Sequence, residues 1–174
     1  EVDIDNADGV DTFFSVNNAS SAAVLTHVVV WTDMSVEALD FNVYLTGYDV
    51  QTIGMGLIIR DGILPVTARQ TSVSPIGPYS WPVIYGEYSA CASILPYGEP
   101  ELDADFLDHL QSILTGGPSS IYGGRCGGYD HGDNIARGYV TIDSVIECSL
   151  LFPGAPGYFE GGIPNFNNLL WGDY

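Results

Sequence analysis

The residues best suited to chemistry lie in two acidic stretches. The first reads Asp3-x-Asp5-Asn6-x-Asp8-Gly9-x-Asp11. Ca²⁺ is a hard ion that takes roughly six to eight oxygens, and loops that bind it alternate acids around a glycine that permits a sharp turn. The EF-hand spacing D-x-D-x-D-G is not met, because one residue too many separates Asp5 from Asp8 and no glutamate closes the loop. Asp3, Asp5, Asn6, Asp8 and Asp11 are therefore a candidate Ca²⁺ set by composition, weighed against a solvated acidic terminus. The second stretch is Tyr129-Asp130-His131-Gly132-Asp133-Asn134. Asp130 and Asp133 are weaker candidate ligands there. The plainer reading is a turn whose Asp and Asn side chains bond their own backbone.

Nucleophilic and zinc chemistry find little to work with. The histidines are His27, His109 and His131. His27 falls inside the most apolar run and reads as a packed, hydrogen-bonded residue; only His131 has polar company. H-E-x-x-H and G-x-S-x-G are both absent, which removes the usual zinc-protease and serine-hydrolase signatures. No catalytic residue is assigned, and a secreted hydrolase ranks third among the functional readings.

Aromatic side chains offer a different kind of site. Tyr79, Trp81, Tyr85 and Tyr88 cluster in one proline-rich stretch. Their flat faces suit stacking on sugar rings, and the competing reading is a satellite core beneath a long loop. The three cysteines, Cys91, Cys126 and Cys148, form no C-x-x-C pair. An exported protein then has one disulfide and one spare thiol, with Cys91 to Cys126 favoured because Cys126 sits in a flexible glycine run. Asn18-Ala19-Ser20 is a glycosylation sequon in a glycosylating host.

Charge narrows the partners. Acids number 22 against 4 bases, for a net charge of −18, and there is no lysine. Walker A, kinase and pyridoxal-phosphate chemistry each need a lysine that this chain lacks. Nucleic-acid binding needs a basic face, and an anionic membrane surface repels such a chain. A saline habitat is a bland alternative source of the acidity. The first residue is Glu1, so the expectation is that an upstream segment has been removed, in keeping with a secreted or cell-surface protein. The longest apolar run, Ala22 to Trp31, is too short to span a bilayer as a helix.

The elements that must position these residues read mostly as strands. Strands are expected at residues 11–18 and 22–31, the latter covered on both faces. Leu39 to Leu45 alternates like a half-buried strand; Val50–Ile53, Leu57–Ile59 and Arg137–Ile146 follow. Further strands are expected at Pro82–Tyr85 and Tyr88–Ile94, inside a proline-rich loop region over 62–100. One helix is expected near 102–115: Leu102, Phe106, Leu107, Leu110, Ile113 and Leu114 form a 3.6-residue stripe, Asp103 caps it, and Gly116-Gly117-Pro118 stops it. A glycine-rich acidic loop spans 123–134. At the end of the chain, Leu169, Leu170 and Trp171 must pack on the domain or on a neighbour.

The fold expected is one domain over 1–174, an antiparallel β-sandwich of Greek-key or jelly-roll type with one inserted helix. The function expected is a non-catalytic extracellular structural or assembly protein, a surface-layer, fibre or matrix subunit stabilised by Ca²⁺. It would associate with itself or with other extracellular proteins. The alternative is a carbohydrate-binding module that recognises glycans.

Overall fold

The longest apolar run of the sequence forms the middle strand of its sheet. Val24–Thr32 is rich in β-branched side chains, which suit a pleated, buried surface, and all nine residues are buried. The computed structural model describes residues 1–65, 67, 101–146 and 151–174. Among them the strands are β1 (Val2–Asp3), β2 (Phe13–Asn18), β3 (Val24–Thr32), β4 (Glu37–Leu45), β5 (Val50–Gly54), β6 (Pro118–Ser119), β7 (Arg125–Cys126), β8 (Ile135–Ala136), β9 (Gly138–Val145) and β10 (Leu170–Asp173). Two short helices, α1 (Met55–Ile59) and α2 (Ala104–Leu114), complete them. No helix among the described residues is long and apolar enough to cross a membrane.

The strands form two three-stranded antiparallel sheets, ordered β4-β3-β9 and β10-β2-β5, and two small ladders, β1-β8 and β6-β7. No sheet closes into a barrel. Side chains alternate across a strand, so even-numbered residues of β3 and β9 share one face. Val28, Val30, Val140 and Ile142 on that face join Phe14, Val16 and Ile53 of the other sheet in a single core cluster. Helix α2 adds Leu110, Ile113 and Leu114 to the same cluster.

Helix α2 has the expected stripe and cap: Asp103 accepts a hydrogen bond from Phe106 N–H, and Asp105 lies in the first turn. Its end is set by Gly116, at φ +86°, where a Cβ would collide with the backbone of Tyr129 and Asp130.

Two expectations are corrected. Residues 57–59 belong to helix α1, not to a strand, so the described residues hold two helices where one was expected. The cause is tertiary: Asp11 Oδ1 accepts the Gly56 N–H at 2.8 Å, anchoring the helix start, and a Cβ on Gly56 would strike that carboxylate. The second correction is β4, expected to be half-buried. Ala38 to Leu45 are all buried, so its polar face, Asp40 and Asn42, is covered as well. The strands expected at 82–85 and 88–94 lie outside the described residues.

Candidate functional site

Pairing of β1 with β8 sets Val2 opposite Ala136 and Asp3 opposite Ile135. This lays the two acidic stretches side by side, and Asn134 Nδ2 donates to Asp5 Oδ2 at 2.8 Å across them. Within each loop the side chains hold backbone. Asp3 Oδ1 accepts from the N–H groups of Asp5 and Asn6 at 3.0 and 3.1 Å, and Asn6 Oδ1 accepts from Asp8 N–H. Asp130 Oδ1 accepts from Gly132 N–H at 2.7 Å. These are Asx turns, the local bonding short polar side chains favour. Asp133 takes two bonds from Arg137, at 2.8 and 2.7 Å, and that guanidinium holds its carboxyl well below the usual carboxylate range. Arg137 also donates to Glu1 Oε1 at 3.3 Å.

Asp11 stands apart from the other four candidate ligands. It turns toward helix α1, accepting from Gly56 N–H and lying 3.8 Å from Arg60. Among the described residues, no group of three or more His, Cys, Asp or Glu side chains is placed to hold a metal ion.

The histidines divide by setting. His131 is half-exposed, with Nε2 3.7 Å from Asp33 Oδ2 and its ring edge-on to Tyr129. His109 Nδ1 meets Ser119 Oγ at 2.5 Å, but both residues are buried. Ser119 Oγ also accepts the Ile121 N–H. This contact ties helix α2 to the β6-β7 ladder and leaves the hydroxyl sealed from substrate.

His27 belongs to a buried polar group that the alternation of β4 concealed. The odd-numbered face of β3 sets His27 opposite Asn42 on β4 and Asp143 on β9. His27 Nδ1 lies 2.8 Å from Asn42 Oδ1, and its Nε2 lies 3.8 Å from Asp40 Oδ2. Tyr158 donates its hydroxyl to Asp143 Oδ2 at 2.7 Å, and Trp31 Nε1 donates to Thr141 Oγ1 at 2.8 Å. Burial, with Glu37 nearby, pushes the Asp40 carboxyl up to about 8, while burial lowers His27.

The remaining feature is an open seam between β9 and β10. Residues of an antiparallel strand direct their backbone groups alternately to either side. Asn165 N–H donates to Ser144 O, and Ile146 N–H to Ile163 O. The even-numbered residues of β9 therefore face away from β3. Among the described residues, the segment around 163–165 covers Ser144 and Ile146 and stops there, and no strand pairs with the outward backbone groups of Val140 and Ile142. By the same parity, Ala19 N–H donates to Leu169 O, so Leu170 and Gly172 of β10 face the seam from the other sheet.

Beneath this edge lies an apolar cavity of about 470 Å³, walled by Phe14, Val30, Met55, Leu114, Val140 and Ile142. Glu1, Arg137 and Tyr139 also line it. No spacing in the sequence marks this seam, because it is a place where strand pairing stops.

Two other expected sites fall wholly or partly outside the described residues. Tyr79, Trp81, Tyr85 and Tyr88 all do, and so does Cys91. Cys126, its expected disulfide partner, is a free and exposed thiol on β7. The sequon residue Asn18 is buried, with Nδ2 donating to Ala22 O and Thr46 O and Oδ1 accepting from Ser20. The chain matches no protein-family model, and comparison with curated proteins and with solved structures found no match.

Proposed function

We propose that this protein is a non-catalytic extracellular assembly subunit, a β-sandwich that accepts a strand along the open edge of β9. In this reading the two three-stranded sheets pack face to face across the shared core. Ca²⁺ steadies the paired acidic loops.

The observation that supports it is the placement of Val140 and Ile142. Among the described residues no strand pairs with their outward backbone groups, and their side chains line the apolar cavity beside them. An unpaired strand edge is a template for another strand. In β-augmentation the main chain supplies affinity and pockets for alternate side chains supply specificity; both parts are present at one place here. An extended segment laid against Val140 and Ile142 would bury its inward side chains between the sheets.

The test is amide hydrogen exchange on native assembled material and on the isolated chain. The amides of Val140 and Ile142 are expected to exchange slowly in the assembly and quickly in isolation. Fast exchange of both amides in both samples would refute strand acceptance at this edge.

A further inference from the structure

We infer that the outer face of the β10-β2-β5 sheet binds a neutral glycan chain, laid over Phe13 and Trp171 with its hydroxyls on Asp173, Ser15 and Thr52. This goes beyond strand acceptance at β9 and stands independently of it.

Alternation divides the sheet into two faces. Phe14, Val16, Ile53 and Leu170 belong to the core or pack against it. The odd-numbered residues of β2 and β10 and the even-numbered residues of β5 therefore point outward. Register sets them in two rows across the strands: Trp171, Asn17 and Val50, then Asp173, Ser15 and Thr52. Phe13, Trp171 and Val50 are each more than half exposed.

Phe13 is held as a platform. It pairs with Gly54, and a Cβ at Gly54 would come within 2.9 Å of the Phe13 ring. The ring thus lies over the glycine, in space that any other residue would fill. Beside it is a shallow hollow of about 260 Å³ lined by Phe13, Phe14, Ser15, Thr52, Asp173 and Tyr174.

The polar row is set to bond outward. The buried Asn17 amide donates to Ser15 Oγ at 3.1 Å and to Trp171 O at 3.2 Å. Ser15 Oγ already accepts, so its own proton is left to donate. Asp173 Oδ1 accepts the Tyr174 N–H at 2.9 Å, which leaves Oδ2 for a ligand. Thr52 is exposed, and its hydroxyl both donates and accepts.

A sugar ring carries an apolar C–H face and a rim of hydroxyls, and it meets both features at once. Its face stacks on an aromatic ring, and its hydroxyls give and take protons along the row. An apolar protein patch would instead bury Asp173, Ser15 and Thr52 without partners. Charge makes the glycan neutral. None of the four bases lies on β2, β5 or β10, while Asp173 and a net charge of −18 repel an anionic sugar. Asn17, the partner of Trp171, is four residues from Phe13 on β2, about 13 Å along the strand. Two aromatic side chains at that separation fit a chain of several sugar units.

The test titrates the intact protein with cellohexaose, mannohexaose, xylohexaose and chitohexaose, and with hexagalacturonate as the anionic control. Binding is read by calorimetry and by amide chemical-shift changes. At least one neutral hexamer is expected to bind, shifting Phe13, Ser15, Thr52 and Asp173, with hexagalacturonate at least about tenfold weaker. Phe13→Ala should weaken binding about tenfold. The exposed-site variant Thr52→Val should weaken it about fivefold with an unchanged melting temperature, which separates a lost contact from a lost fold. No binding by any neutral hexamer, or shifts confined to other surfaces, would overturn the site. Equal binding of hexagalacturonate would overturn the neutral class. Concentration-dependent shifts of the same four residues without sugar would make a second copy of the chain the occupant and overturn the glycan.

Discussion

His27 Nε2 lies 3.8 Å from Asp40 Oδ2 inside the β3–β4 ladder, with the two side chains 1% and 7% exposed. The Nδ1 side of the ring is held by Asn42, so a neutral imidazole has its Nε2 lone pair toward Asp40. Among the described residues Nε2 has no hydrogen-bond partner. Burial drives both groups neutral: Asp40 is raised to about 8, with Glu37 adding to the shift, and His27 is lowered. A neutral pair suits a buried site, where unpaired charge is costly.

These shifts set the pH dependence of stability. Asp40 has a folded pKa above its unfolded value of 3.8. Its contribution is full below that value and is lost as pH rises toward about 8. His27 has a folded pKa below 6.5, so its contribution is full above 6.5 and is lost as pH falls. The two slopes oppose each other below 6.5, and Asp40 acts alone from there to about 8. In that window this group should lower stability by up to about 1.4 kcal/mol per pH unit. Asp40→Asn keeps the shape and removes the proton. Denaturant titrations at several pH values should show the alkaline decline in the wild type and a flatter profile in the variant. A decline unchanged by the substitution would rule out Asp40 as its source.

The same pair shows where sequence reasoning succeeds and fails. Continuous apolarity in β3 correctly signals a strand covered on both faces. The alternation of Asp40 and Asn42 with Leu39, Phe41 and Val43 signals a wet face, yet that face is buried: Asn42 meets His27 of β3, and Tyr158 bonds to Asp143 of β9 on the same side. Local pattern reports polarity and is blind to a cover contributed by residues such as Tyr158. The Asp103 cap is legible because the bond is three residues long. The Asp11 bond that starts helix α1 reaches across 45 residues, so Leu57–Ile59 reads as a β-branched strand. The acidic loops are visible as composition, but the β1–β8 ladder that joins them pairs segments far apart in the chain, Val2 with Ala136. The seam at Val140 and Ile142 is least legible, since both residues look like ordinary core positions.

Asn18 tests the meaning of the sequon. Its amide donates to Ala22 O at 2.6 Å and Thr46 O at 2.9 Å, and its Oδ1 accepts the Ser20 N–H and hydroxyl. A glycan on Nδ2 would displace both donated bonds and would have to leave a buried site. Asn18→Ala should destabilise by about 1–3 kcal/mol, the range for a buried hydrogen-bonding group whose partners are left unmet. Folded protein from a glycosylating host should show no glycan at this position by mass spectrometry. An occupied Asn18 in protein of normal stability would contradict this packing.

Cys126 makes the disulfide question measurable. It sits on β7 opposite Pro118, exposed and free. Alkylation of the native, unreduced protein should therefore modify Cys126, with peptide mapping to locate the adduct. Protection that is lifted only by reductant would instead support the bond to Cys91 expected from the sequence.

The paired acidic loops supply the test for Ca²⁺. The β1–β8 ladder sets Asp3 opposite Ile135 and so brings two acidic loops together, and Arg137 bridges Glu1 to Asp133. Asn134 joins the loops by a single neutral bond to Asp5. Repulsion between the loops is screened by any salt over a Debye length of about 10 Å at 0.1 M, so ordinary salt should raise the melting temperature. A bound Ca²⁺ would add more. At a concentration about tenfold above its Kd it contributes about 1.4 kcal/mol, or about 3–5 °C for a chain of this size. Melting curves in CaCl₂ and in NaCl of matched ionic strength should differ by that amount, and Asp5→Asn with Asp8→Asn should erase the difference. Asp3 is a poor choice for this variant, because its carboxylate already closes the turn and its loss would unfold the loop with or without an ion. Identical melting in the two salts would mean that the loops respond to screening alone, and that Asn134 and Arg137 suffice to hold them together.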